Sequence, residues 1–165
     1  MNPTASTKKF QFVPFVINLL VTLAIGFVAS LFTRPQIAGW FNALYKPSFN
    51  PPAWLFAPVW TIIYIMMAIA AYLVWKRRNN SIIYSTARII YIVQLLLNFS
   101  WSVVFFGLHG VLPAFAIILF LWISIALNII YFARMSKIAA WLLVPYLLWV
   151  SFAGVLNLSI YLLNR

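Results

Sequence analysis

Residues Trp40–Trp75 read WFNALYKPSFNPPAWLFAPVWTIIYIMMAIAAYLVW. From Trp54 to Trp75 the chain is apolar and uncharged. As a helix rising about 1.5 Å per residue it would extend roughly 33 Å, enough to cross a hydrocarbon core about 30 Å thick. The tryptophan at each end suits the membrane–water interface. The residues before this span are unlike a plain connector. Ile37, Trp40, Phe41 and Leu44 recur at i, i+3, i+4 and i+7, the apolar stripe of a short helix. Pro35 suits that helix's first turn, while Pro47, Pro51 and Pro52 forbid its continuation. The loop over residues 34–52 is therefore expected to be ordered, as a lid beside the span.

Outward from this stretch, the same pattern repeats. A polar tail covers residues 1–9 and ends in Lys8-Lys9. The apolar run from Phe10 to Phe32 is too long for a signal-peptide core and has no clear cleavage site, so it reads as the first span. Gly26 and Ser30 give it a small-xxx-small face, on which a homodimer could also form. After the basic turn Lys76–Ser81 come spans over residues 83–106, 111–132 and 138–163, with Arg88 expected to snorkel. The Gly107–Gly110 turn is short enough to make the third and fourth spans antiparallel neighbours. The predicted fold is an all-α integral membrane protein: one domain over residues 10–165, a five-transmembrane-helix bundle with a short helix in the long first loop.

Cations divide unequally between the two sides. Lys8, Lys9, Lys76, Arg77, Arg78, Arg88, Arg134 and Lys137 fall on the amino-terminal side, and Arg34, Lys46 and Arg165 on the other. The positive-inside rule places the amino terminus in the cytoplasm, with the first loop and the carboxyl terminus outside. A short chain without a presequence suggests a prokaryotic cell membrane.

Composition narrows the chemistry. Of 165 residues, 66% are hydrophobic and 7% charged, with mean hydropathy +1.04. Asp, Glu and Cys are absent, which excludes carboxylate acid–base catalysis, carboxylate or thiolate metal ligands, and acidic proton relays. A lone His109 cannot build a metal site, so no metal is expected and no cofactor is required. The formal charge of +11 must meet anions from elsewhere, either membrane-lipid phosphates or a carboxylate-bearing ligand. Nucleic acid is not expected, because the cations sit in short turns between spans.

Within the spans, Asn18, Gln94, Asn98, Asn128 and Asn157 are costly enough to ask for a reason. Asn98, Trp101, Ser102 and Phe105 share one face of the third helix. Trp60, Tyr64 and Met67 do so on the second, and Pro145, Trp149, Phe152 and Ala153 on the fifth. Such faces could wall a flat, ring-rich ligand by stacking and N–H donation. Spacing alone equally allows the rings to fill the bundle core or to face lipid.

Four blocks, WFNALYKPSFNPPAW, PVWTIIYIMMAIAAYLVWK, QLLLNFSWSVVFFGLHG and AAWLLVPYLLWVSFAGVLN, resemble the signature segments of the TspO/translocator protein family, in family order over about residues 20–160. The resemblance implies a five-helix membrane protein that binds porphyrin and haem as ligands, together with benzodiazepine-site compounds. By motif position it implies a ligand site of Phe41, Trp60, Tyr64, Asn98, Trp101, Ser102, Trp149 and Ala153, with Trp60 and Trp149 as the catalytic pair if porphyrin is broken down. Arg34 and Lys46 are then the cations expected at the pocket rim. Phe49 replaces a tryptophan usual at the hinge, Ile117 replaces an acidic residue usual in the fourth helix, and Leu158 stands where the sterol motif of animal members needs a tyrosine. Specific sterol binding is therefore not expected. Three functions follow from the resemblance: a tetrapyrrole receptor or sensor, a light- and oxygen-dependent porphyrin-degrading enzyme, and a porphyrin or amphiphile transporter. No nucleotide loop or protonatable carboxylate supplies the last with an energy source.

Overall fold

The computed structural model describes residues 9–165. The polar tail, including Lys8, lies outside the described residues except for Lys9. Among the described residues, five long helices make up the fold: α1 (Phe12–Gln36), α2 (Ala53–Lys76), α3 (Ile82–Ser102), α4 (Val111–Ala133) and α5 (Lys137–Leu163). Each is long and apolar enough to cross a membrane. In hydrocarbon a spanning segment must satisfy its own N–H and C=O groups, and the helix is the local way to do so. Where α3 and α5 begin, Ser81 and Ser136 accept from the amides of Tyr84 and Ala139, capping donors that the helix itself leaves unmet.

The short helix of the first loop is present but is not separate. It continues α1 through Pro35 as a π-turn over Ile37–Phe41. Proline removes one rung of the backbone ladder, and the wider turn lies directly after that gap. A second π-turn, Val103–Gly107, prolongs α3. The two turns pack on each other: Phe41 and Trp40 both meet Phe105 and Phe106 at ring-centroid distances of 5.5–6.5 Å.

Around the bundle the helices follow the order α1–α2–α5–α4–α3, with α3 closing on α1. α2 and α3 barely meet. At the basic end, which carries the Lys76–Arg78 and Arg134–Lys137 turns, this centre is filled by Met67, Ala70, Leu121, Ile125, Leu143 and Tyr146. There Tyr91 stacks on Phe132, Thr22 and Tyr91 share a 3.0 Å hydrogen bond, and Asn128 donates to the Ala87 carbonyl. Two glycines set close approaches. A Cβ on Gly26 of α1 would lie 2.4 Å from the Tyr64 ring of α2, and one on Gly154 of α5 would lie 3.1 Å from Ile118 Cγ2 of α4. At the opposite, lid end the space between α2 and α3 stays open.

Candidate functional site

That opening is a cavity of about 390 Å³ walled by α1, α2, α3 and α5. Ligand pockets commonly fall between roughly 300 and 1,000 Å³. Its roof is the double π-turn, where Phe41, Phe105 and Phe106 are buried. Its floor is the crossing of Gly26 with Tyr64.

Trp60 and Trp101 face one another across the middle, 6.4 Å between ring centroids with a 32° interplanar angle, and Trp60 lies 5.7 Å from Tyr64 at 31°. These tilted rings offer flat surfaces for stacking. Trp60 and Tyr64 share a helix face four residues apart, and Asn98, Trp101, Ser102 and Phe105 share theirs at i+3, i+4 and i+7.

The polar groups at the wall belong to networks. The Tyr64 hydroxyl donates to Asn98 Oδ1, and Asn98 Nδ2 donates to the Tyr146 hydroxyl at 3.1 Å. Trp101 Nε1 donates to Asn157 Oδ1 at 3.2 Å, and Asn157 Nδ2 to the Val111 carbonyl at 2.7 Å. Buried amides and phenols so connected hold their rings in fixed orientation. Among the described residues, Arg34 is the one cation lining the cavity, and the chain has no carboxylate to neutralise it. No group of three metal-capable side chains occurs among the described residues. The site can stack on, enclose and charge-match a ligand; its walls carry no carboxylate or thiol for acid–base or nucleophilic work.

Of the residues singled out from the sequence, Phe41, Trp60, Tyr64, Asn98, Trp101, Ser102, Ala153 and Arg34 line the cavity. Trp149 does not. With Pro145 and Phe152 it lines a shallow groove between α2 and α5, against Val59, Ile62 and Met66. The cavity face of α5 is Ala153, Leu156, Asn157 and Ile160, turned from the groove face by roughly 80° at 3.6 residues per turn. The Trp149 ring stands behind Phe56, 5.8 Å away, with its indole nitrogen buried and unpartnered. Trp60 and Trp149, expected as the catalytic pair if porphyrin is broken down, thus stand at different surfaces, the first at the cavity and the second in the groove.

Lys46 is also absent from the lining. Its ammonium donates to the carbonyls of Asn42 and Leu44 and sits 5.0 Å from the Phe41 ring centroid, on the lid itself. A flexible lysine beside the free carbonyls at a helix end is drawn to them when no carboxylate competes.

The lid is held at both ends. Tyr45 exchanges two hydrogen bonds with the side chain of Asn164, 2.9 and 2.8 Å. His109 stacks on Trp40 at 4.2 Å and meets Gln36 Oε1 at 3.0 Å, with its own backbone left-handed at φ 56°.

Sequence reading passed over Phe56, Thr61, Phe106 and Leu156 as cavity residues. Phe105, Asn157 and Gly26 carried a signal, as a stripe member, an intramembrane amide and a small residue, without pointing to the cavity.

Comparison with known proteins gives one consistent result. The model of the TspO/MBR family matches residues 18–163. "Tryptophan-rich protein TspO" of Chlorobaculum tepidum is 45% identical over 158 residues, covering 93% of this chain and 98% of its own. The protein of the same name from Archaeoglobus fulgidus is 43% identical, covering 90% and 95%. The human "Translocator protein" is 34% identical, covering 90% of each.

Proposed function

The chain belongs to the TspO/MBR family of membrane proteins, and from that premise we propose that its cavity is a receptor site for tetrapyrroles, with protoporphyrin IX and haem as ligands, which also accepts flat benzodiazepine-site compounds. One observation carries the reading: a cavity whose middle is walled by the tilted rings of Trp60, Tyr64 and Trp101, the plane of Trp60 31–32° from those of the other two. A planar macrocycle matches those faces by stacking. Arg34 at the lining suits a propionate, because a guanidinium with no carboxylate of the chain to pair with can take a ligand carboxylate in a charge-assisted, bidentate contact. Membership supports a multi-pass membrane protein, and the cation asymmetry orients it, with the lid outside a prokaryotic cell membrane and the basic turns in the cytoplasm.

Titrating the purified protein with protoporphyrin IX in the dark tests this. Tryptophan fluorescence is expected to quench saturably, with Trp60→Phe and Trp101→Phe together weakening binding about tenfold. Non-saturable quenching, or an unchanged titration in the double variant, rejects the site.

Light-dependent breakdown of the bound porphyrin is a second reading, favoured by the contact of Trp60 with the cavity. It predicts that illumination in air bleaches bound porphyrin faster than free porphyrin in detergent, and that Trp60→Phe abolishes the difference while Trp149→Phe does not.

A further inference from the structure

Twenty-four residues line the cavity, and those exposed at its edge share one origin. Phe27, Arg34, Ala53, Ala57 and Thr61 are exposed, and all five lie on α1 or α2. Every cavity residue from α3, its π-turn and α5 is buried or half-buried. The wall is therefore open along one seam. The seam starts above the Gly26–Tyr64 crossing, where α1 and α2 touch, and runs to Arg34 and Ala53 at the lid end. Along α1, from Phe27 to Arg34, that is about 10 Å, and along α2, from Thr61 to Ala53, about 12 Å, at 1.5 Å per residue.

The edges of the seam are chemically prepared for lipid. Ser30, Thr33 and Thr61 turn their hydroxyls back onto the carbonyls of Phe27, Ala29 and Ala57 in their own helices. Phe27, 62% exposed, presents its ring to the surroundings. The polar exception is Arg34, in the last turns of α1 at the lid end of the seam. The roof, by contrast, is sealed by stacked rings and the Tyr45–Asn164 and Gln36–His109 hydrogen bonds.

We infer that the cavity is loaded from the bilayer through the slot between α1 and α2, by a membrane-dissolved, flat amphiphile that travels with its anionic edge towards Arg34. This rests on the pocket reading above and adds to it the route and the class of ligand. Aqueous entry through the lid is the alternative that the roof packing opposes.

The chain lacks cysteine, so an Ala153→Cys variant carries one thiol, on the α5 wall of the cavity. In nanodiscs it is treated with a membrane-partitioning alkyl maleimide or with a charged, membrane-impermeant methanethiosulfonate. The maleimide is expected to react, and to react at least tenfold more slowly once Ala57→Trp and Thr61→Trp plug the slot. The charged reagent is expected to leave the thiol largely unmodified. Ser30→Trp plugs the slot from α1, should the α2 pair not fold, and Leu119→Trp on the outer face of α4 is the neutral control. Equal rates with and without the plug, or faster reaction with the charged reagent, would overturn the slot. The labelling needs no porphyrin. A protein that labels as expected but does not bind protoporphyrin retains the slot and loses the tetrapyrrole reading, while binding without slot-dependent labelling does the reverse.

Discussion

α1 and α4 are both strongly apolar spans, yet they live in different surroundings. α4 sends Ala114, Ile118, Leu121, Ile125, Asn128 and Phe132 into the bundle, one residue per turn or so, against α3 and α5. α1 buries Thr22 and Ala29 and leaves most of its length to lipid and cavity. The difference teaches that hydropathy selects residues for the membrane without selecting their neighbours. One half of the bundle is a dense seam that carries stability, and the other is a looser wall around a chamber. Interiors at close packing tolerate little change of volume, whereas a wall facing lipid tolerates much.

The comparison is broken most easily by removing volume from each half. Leu121→Ala or Ile125→Ala in α4 is expected to cost about 2–4 kcal/mol, because both side chains are 1% exposed. Leu31→Ala on the exposed face of α1 should cost under about 0.5 kcal/mol. Reversible unfolding in mixed micelles measures both, and similar losses would mean that the halves are packed alike.

Adding volume separates stability from binding. Gly26→Ala drives a methyl into the Tyr64 ring, which must shift at the cavity wall and strain its hydrogen bond to Asn98. Protoporphyrin affinity should fall about tenfold, equivalent to roughly 1.4 kcal/mol. Gly154→Ala crowds Ile118 in the dense seam, so it should lower stability by about 1 kcal/mol and leave affinity within twofold. The opposite assignment of effects would dissolve the distinction.

The two tryptophans sharpen it further. Trp60→Phe should weaken porphyrin binding about fivefold, near 1 kcal/mol, since it reduces a stacking surface. Trp149→Phe should change affinity less than twofold, because that ring lies in the outer groove. A small effect is also expected at the lid. Asn164→Ala removes the two hydrogen bonds to Tyr45, worth about 1 kcal/mol between exposed groups, and should speed ligand release by no more than a few-fold if the slot is the route. Stopped-flow release after dilution reads it.

Much of the fold was legible, and particular residues show why. The uncharged run Trp54–Trp75 became α2, Ala53–Lys76, since a spanning helix is specified by local hydrogen bonds and by side chains compatible with lipid. Asn98 declared itself as an amide amid aromatics, and it sits between Tyr64 and Tyr146. Trp149 was misplaced because a stripe of rings looks the same whether it faces a cavity, lipid or another helix. Lys46, expected at the rim, lies on the lid over Phe41, but its carbonyl partners, Asn42 and Leu44, were not legible because they are positioned only once the π-turn has formed.

By itself the sequence determined what the bilayer and the backbone dictate: five spans, a proline-pinned lid, a carboxylate-free interior and the residue types a flat ligand needs. Tertiary structure alone decided the order of the helices, the gap between α2 and α3, and the rotation of α5 that brings Ala153 and Asn157 to the cavity while turning Trp149 away. The physical reason is that lipid, packed core and empty chamber are all apolar. Hydrophobicity cannot tell these three apart, and only the contacts between helices can.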